Sequence, residues 1–183
     1  MRALLLAGTA LFIFGAFLGC ALYRLLGLGE SELYDNLIER YFLALFYKCT
    51  DSMDTLFVVA DCLMHELSLF ICVFLGGFTL FTGFISGAAL LYRGLLFGFA
   101  LTMLQFSSKT GLLLDSICYL ASSGAISLLL IIQAAMSFAY FYPDRSPRLL
   151  CSETKRYTLS FLRVCGLVFA NVCAMLFLIY VYI

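Results

Sequence analysis

The chain has 183 residues with no formal net charge, and 64% of them are hydrophobic. Only eleven are lysine or arginine, so the chain lacks the basic surface with which proteins bind nucleic acid. The stretch from Leu67 to Tyr142 carries only three charged side chains, Arg93, Lys109 and Asp115. Such a stretch is far too apolar for a soluble domain, so the composition indicates a protein whose solvent is lipid.

The apolar runs predict membrane-spanning helices. About 20 apolar residues cross a bilayer as a helix, and the runs are continuous rather than alternating, which favours helices over a barrel. We therefore predict an all-α, polytopic transmembrane bundle of about five spans, at 3–23, 67–87, 90–106, 117–141 and 160–182. Residues 1–29 form the first span, 30–66 an extracytoplasmic amphipathic helical segment, and 67–183 the remaining bundle of about four spans.

The first apolar run raises the question of a cleaved signal peptide. It opens with Arg2, stays apolar to Tyr23, and has a small-x-small site near Gly19 and Ala21. However, it is longer than a typical signal core. We therefore expect an uncleaved span, and the alternative is a cleaved leader that leaves four spans.

The segment after the first span carries a helical stripe. Ser31 is a suitable N-cap, since Glu32 and Asp35 in the first turn favour the helix dipole. The candidate partner surface is the apolar stripe of this helix, formed by Leu33, Leu37, Tyr41, Phe42 and Leu45. A second helix is predicted to end near Glu66. This outer hairpin either only covers the span ends or docks an extracytoplasmic partner, and the stripe alone does not separate the two.

The charges are distributed unevenly around the spans. Residues 24–66 hold eight of the eleven acidic residues, whereas the loop 142–157 holds four basic residues and two acidic ones. Because lysine and arginine are retained on the cytoplasmic side, we predict a cell-membrane protein with a cytoplasmic N-terminus and an extracytoplasmic C-terminus. Arg93 then falls inside with the basic loop, and Lys109 is the single exception.

Several spans carry small residues four positions apart. The pairs are Gly15 and Gly19, Gly83 and Gly87, and Gly94 and Gly98, with a further face at Gly166, Ala170 and Ala174. Such faces let helices approach closely in lipid. They predict a compact bundle and permit a homo-oligomer. The first two pairs lie in loosely similar stretches, which chance explains better than an internal repeat.

The sequence does not assemble a catalytic or metal-binding set. His65 lies near Asp61 and Glu66, but zinc needs three or four ligands and no second histidine exists. An intramembrane protease needs a serine facing a histidine, or paired aspartates. No phosphate loop or dinucleotide fingerprint is present. We therefore expect no enzyme and no cofactor. Cys49 and Cys62 are left open as a disulfide pair.

Four polar residues lie deepest in the predicted bundle, namely Arg93, Asp115, Gln133 and Asn171. Asp115 is expected on a short interfacial helix before the fourth span. We expect Arg93 to cap the hairpin between the second and third spans, with its side chain reaching the cytoplasmic interface. Gln133 and Asn171 are expected to join helices by hydrogen bonds.

One stretch carries a family resemblance. Residues 91–99 contain a basic residue and a glycine followed by a second glycine four positions on, here Arg93, Gly94 and Gly98. A span, a polar turn with Gly111, a break at 122–124 and a long apolar helix follow. This outline, with one N-terminal span and an outer segment, resembles the stage II sporulation protein M family.

The resemblance implies a non-enzymatic membrane protein of endospore-forming bacteria. The sporulation member scaffolds an amidase/endopeptidase and a lytic transglycosylase that thin peptidoglycan at the septum during engulfment. We therefore expect a scaffold whose partners are the lipid bilayer and other membrane or extracytoplasmic proteins, including cell-wall hydrolases. The alternative is a transporter component or small channel, because glycine-interrupted spans often line binding sites.

Overall fold

The computed structural model describes residues 2–26, 52–106, 113–140 and 147–182, and these residues form five α-helices and no strand. The helices are α1 (Arg2–Leu25), α2 (Ser52–Gly76), α3 (Thr82–Phe106), α4 (Leu113–Tyr140) and α5 (Pro147–Tyr182). The predicted all-α class is confirmed.

Within this part of the chain, four helices are long and apolar enough to cross a membrane. Their candidate spans are Arg2–Leu25, Thr82–Thr102, Leu120–Tyr140 and Glu153–Ala174, and α2 contributes a shorter apolar stretch, Leu63–Gly76. These are the helices of a multi-pass membrane protein.

The turn between α2 and α3 corrects the predicted spans. We expected a turn between residues 87 and 90, but α3 runs unbroken through that region and the chain turns at 77–81. Two hydroxyls hold this turn, since Thr79 Oγ1 and Thr82 Oγ1 donate to the Gly76 carbonyl at 2.9 and 2.8 Å. Because the turn is built mainly from apolar residues and glycine, hydropathy alone hid it within one predicted span.

Two other predicted boundaries differ from the structure. Helix α2 continues through Glu66, so the border drawn between 66 and 67 falls inside one helix. Helix α4 continues through Ser122, Ser123 and Gly124, where we expected a break. The predicted amphipathic helix at 31–47 lies outside the described residues.

The contacts between α1 and α3 show that these two helices run parallel. A Cβ placed on Gly94 would meet the Phe12 carbonyl oxygen, and one on Gly98 would meet that of Ala16, so residue numbers rise together along both helices. Helix α2 runs antiparallel to α3 because only the short turn at 77–81 separates them.

Hydrogen bonds fix the directions of the remaining helices. Ser137 pairs with Tyr157 and Ser122 with Asn171, so α4 and α5 run antiparallel. The bundle therefore has two ends. The Arg2 end contains Arg2, the turn at 77–81, Tyr140 and the α5 segment near Glu153. The Leu25 end contains Leu25 and the starts of α2 and α4.

The bundle carries polar groups inside and apolar groups outside. Its apolar core includes Phe70, Val73, Leu90, Leu130 and Val168, each at most 2% exposed. The buried polar and charged side chains are Thr82, Ser86, Arg93, Thr102, Ser123, Ser127, Gln133 and Ser137. Outward-facing side chains such as Leu6 and Phe17 are more than 70% exposed, as expected for residues that face lipid.

Candidate functional site

Glycine makes the α1–α3 interface the closest helix contact in the described structure. A Cβ on Gly15 would lie 2.5 Å from the Leu91 carbonyl oxygen, and one on Gly19 would meet the Leu95 carbonyl. Gly15 and Gly94 face each other, since a Cβ on Gly94 would lie 3.1 Å from the Gly15 Cα. These positions therefore tolerate no side chain, and the two backbones pack directly.

The other predicted packing glycines lie elsewhere. Gly83 faces the Phe138 ring at 3.2 Å, and Gly87 has Leu11 at 3.9 Å, which is ordinary contact. Gly166 has open space around it, so its face contacts no described part of the chain. Gly111 lies outside the described residues. Of the predicted packing glycines that the structure describes, only Gly15, Gly19, Gly94 and Gly98 come together.

Arg93 lies at the centre of a buried polar cluster. Its Nη1 donates to Glu66 Oε1 at 2.7 Å, its Nη2 to Ser123 Oγ at 3.1 Å, and its Nε to Ser127 Oγ at 3.3 Å. The arginine is 5% exposed. The expectation that Arg93 caps a hairpin at the interface was wrong, because the true turn lies 12 residues earlier, at 77–81.

Arg93 lies near the middle of the candidate span Thr82–Thr102. At a rise of about 1.5 Å per residue, Arg93 lies about 17 Å from Thr82 and Glu66 about 15 Å from Gly76. A bilayer core is about 30 Å thick, so a turn at the membrane surface would put both charges near its centre. A lone arginine there costs about 3 kcal/mol or more, which explains why the guanidinium is surrounded by a carboxylate and two hydroxyls.

Glu66 is the residue that sequence reasoning assigned to the wrong place. The sequence predicts it in the acidic outer segment, whereas its side chain is only 17% exposed and points into the bundle. Its Oε1 accepts the hydrogen bond from Arg93, and its Oε2 is buried without a hydrogen-bond partner among the described residues. The neighbouring His65 is exposed and makes no part of the cluster. The sequence feature that could have located Glu66 in the bundle is the isolated Arg93, since a buried charge requires a partner of opposite charge.

A second polar level lies between Arg93 and the Arg2 end. Ser86 on α3 and Gln133 on α4 are both 0% exposed. Neither the Ser86 hydroxyl nor the Gln133 amide has a hydrogen-bond partner within the described structure. The amide lies beside the Tyr157 hydroxyl of α5, the one helix that the predicted interhelical hydrogen bond of Gln133 could join.

A third level joins three helices. Ser137 Oγ lies 2.7 Å from the Tyr157 hydroxyl and 3.1 Å from the Val73 carbonyl oxygen. Tyr157 also donates to the Phe74 carbonyl at 3.0 Å and stacks on the Phe74 ring. Closer to the Arg2 end, the rings of Tyr140 and Tyr157 stack with centroids 4.7 Å apart.

The opposite half of the bundle holds the Asn171 contact. Its Oδ1 accepts a hydrogen bond from Ser122 at 2.6 Å, which joins α4 to α5. The expectation that Asn171 joins two helices is confirmed.

The Arg93 cluster is suited to holding helices together. It would carry a proton or a small polar solute only if its hydrogen bonds broke to admit one. The described residues contain no group of three histidine, cysteine, aspartate or glutamate side chains that could hold a metal ion. The stripe of Leu33, Leu37, Tyr41, Phe42 and Leu45 and the pair Cys49 and Cys62 lie outside the described residues. Comparison of the chain with family models, with curated proteins and with solved structures found no match.

Proposed function

We propose that this protein is a non-enzymatic multi-pass membrane scaffold. The observation that supports this most directly is the Arg93 cluster, in which one side chain ties α3 to both α2 and α4. All three hydrogen bonds of its guanidinium go to side chains of the bundle itself. A charge used in this way fixes the relative positions of helices, which a scaffold needs.

The glycine interface supports the same proposal. Helix α1 is fixed against α3 by backbone contact at Gly19 and Gly98. The segment that follows α1 is therefore attached to a helix that is held in place. That segment contains the predicted partner stripe at 33–45. The resemblance to the sporulation family supplies the partner class, namely peptidoglycan hydrolases beyond the membrane.

Affinity purification of the tagged full chain from its own membranes tests the scaffold. We expect an amidase/endopeptidase or a lytic transglycosylase to copurify after mild cross-linking, and Leu37→Ser to abolish its recovery. Asn36→Ala, on the polar face of the same predicted helix, is the matched control and should retain the partner. Equal recovery of wall hydrolases with all three chains, or with none, would contradict the proposal.

The scaffold proposal includes an orientation. The Arg2 end gathers Arg2, Lys155 and Arg156, which supports a cytoplasmic Arg2 end. Arg93 no longer contributes to this argument because it lies mid-span. Labelling of a cysteine placed at Arg148 in intact cells tests it, and modification by an impermeant reagent from outside would reverse the orientation.

A transporter component is the second candidate, and a specific observation favours it. Buried polar atoms without partners, at Glu66 Oε2, Ser86 and Gln133, are what a path for a polar solute would contain. Ion or proton flux into liposomes containing the purified chain, lost in Glu66→Gln and retained in Arg163→Ala, would support this candidate over the scaffold.

A further inference from the structure

The polar level at Ser86 and Gln133 carries an inference beyond the scaffold role. Both side chains are fully buried, and three of their polar atoms, the Ser86 hydroxyl and the Gln133 amide oxygen and nitrogen, lack hydrogen bonds. In hydrocarbon each such group costs several kcal/mol. The summed cost of three such groups would be a large fraction of the unfolding free energy of a small domain, so these groups need a partner.

The two side chains come from nearby levels on α3 and α4. These helices run antiparallel, and the register is fixed on both sides of this level: Arg93 contacts Ser127, and Gly83 lies against Phe138. Interpolation between these contacts places Ser86 level with Ala134 and Ala135, within two residues of Gln133. A hydroxyl and an amide at nearly the same level of one interface form a site for a small hydrogen-bonding molecule rather than two unrelated defects.

Polar groups connect this level to one end of the bundle only. The Gln133 amide lies close to the Tyr157 hydroxyl on α5. Tyr157 is bonded to Ser137, and Tyr140 at the end of α4 lies 2.7 Å from Thr154 Oγ1. This ladder reaches the Arg2 end, where Tyr140 and Thr154 are half-buried.

The ladder stops in the other direction. Leu90 on α3 and Leu130 on α4 lie between the Gln133 level and the Arg93 cluster, and they are 2% and 1% exposed. Packed leucines present no hydrogen-bonding group, so they form an apolar floor. Gln133 is about 10 Å from Tyr140 along α4, which sets the depth of the polar region.

We infer that the α3–α4 interface at Ser86 and Gln133 holds water that enters from the Arg2 end and stops at Leu90 and Leu130. Water fits because the site offers both donors and acceptors and no charge. A metal cation would require carboxylate or carbonyl ligands that point into it, and the guanidinium of Arg93 beyond the leucine floor disfavours positive charge.

Hydroxyl-radical footprinting of the unmodified chain in lipid nanodiscs tests the inference. Radicals formed from bound water oxidise the side chains beside it. Tyr157 and Tyr23 are a matched pair, at 5% and 2% exposed, at opposite ends of the bundle. We expect Tyr157 to be oxidised several-fold faster than Tyr23. Equal rates, or a slower rate at Tyr157, would overturn the inference.

A variant sharpens the footprinting result. Gln133→Leu removes the amide, so it should lower the Tyr157 rate to that of Tyr23. Ile132→Leu, one position away on the lipid-facing side of α4, is the control and should leave the Tyr157 rate unchanged. If Gln133→Leu fails to fold, the ratio of the Tyr157 and Tyr23 oxidation rates in the unmodified chain still tests the inference.

Cysteine labelling gives the direction of entry. In a cysteine-free background, Ser86→Cys should react with a small charged thiol reagent only from the side on which Thr79→Cys reacts. Leu26→Cys marks the opposite side, and Leu90→Cys should be inert because it forms the floor. Reaction of Ser86→Cys from the Leu26 side, or from neither side, would contradict the inference.

Discussion

The Nη1 atom of Arg93 lies 2.7 Å from the Oε1 atom of Glu66, although the two residues belong to different helices. Both lie about 15 to 17 Å from the turn that joins their helices. Two opposite charges held at the centre of a bilayer stabilise one another only if both are present. This dependence gives the first prediction.

Removing one partner of the pair should destabilise the bundle strongly. Arg93→Met leaves the Glu66 carboxylate buried and unpaired, and Glu66→Gln leaves the guanidinium without its counter-ion, so each should cost about 3 to 5 kcal/mol. The double variant should lose much less than the sum, because neither charge then remains. Thermal or denaturant unfolding in detergent, analysed as a double-mutant cycle, measures the coupling energy.

Arg163 provides the control for these charge substitutions. It is an exposed arginine on α5, within the candidate span Glu153–Ala174. Arg163→Met should leave the unfolding free energy unchanged or raise it, because an exposed arginine within a span is itself costly and its removal leaves no buried partner unpaired. Additive single-variant losses at 93 and 66 would contradict the pairing.

Gly98→Ala should disrupt the α1–α3 interface. The new Cβ would meet the backbone of Ala16, which cannot move as a flexible side chain can. The helices must separate, and we expect a loss of about 1 to 3 kcal/mol. The readout is thermal unfolding, together with disulfide cross-linking between cysteines introduced at positions 12 and 97, whose rings lie 5.6 Å apart.

Gly124→Ala is the matched control for that substitution. Gly124 is also a glycine inside a helix, but a Cβ there would meet nothing within 4 Å. Alanine should therefore leave stability unchanged or raise it by about 0.5 to 1 kcal/mol through its helix propensity. Equal losses at positions 98 and 124 would show that the close approach of the backbones is not the cause.

Tyr157→Phe should destabilise the Arg2 end while keeping the aromatic stack. The hydroxyl bonds Ser137 and the Phe74 carbonyl, and its removal leaves buried polar atoms with fewer partners. We expect a loss of about 1 to 2 kcal/mol in unfolding free energy. Tyr92→Phe, at a 46% exposed position, should have little effect.

Asn171 and Ser122 should behave as a coupled pair. Asn171→Ala and Ser122→Ala each remove the 2.6 Å hydrogen bond between α4 and α5. Each should cost about 1 kcal/mol, and the double variant should cost little more than either one. A coupling energy near zero in the double-mutant cycle would show that this bond contributes nothing in lipid.

The glycine pairs show what residue spacing in the sequence predicts and what it leaves open. Gly15, Gly19, Gly94 and Gly98 are visible in the sequence as small residues four apart. Gly83 and Gly87 carry the same spacing, yet neither packs against the backbone of another helix: Gly83 meets the Phe138 ring, and Gly87 has only Leu11 at 3.9 Å. Spacing fixes which residues share a helix face, but not which helix covers that face. The pairing of α1 with α3 therefore had to come from the tertiary structure.

The sequence by itself determined that the chain is all-α and crosses the membrane several times, because continuous apolar runs admit few other structures in lipid. Only the tertiary structure decided where the second hairpin turns, because that turn is as apolar as the helices it joins. Moving the turn from 87–90 to 77–81 placed Arg93 at mid-membrane rather than at the interface. Its pairing with Glu66 followed, since a charge without water around it must find its partner on a neighbouring helix.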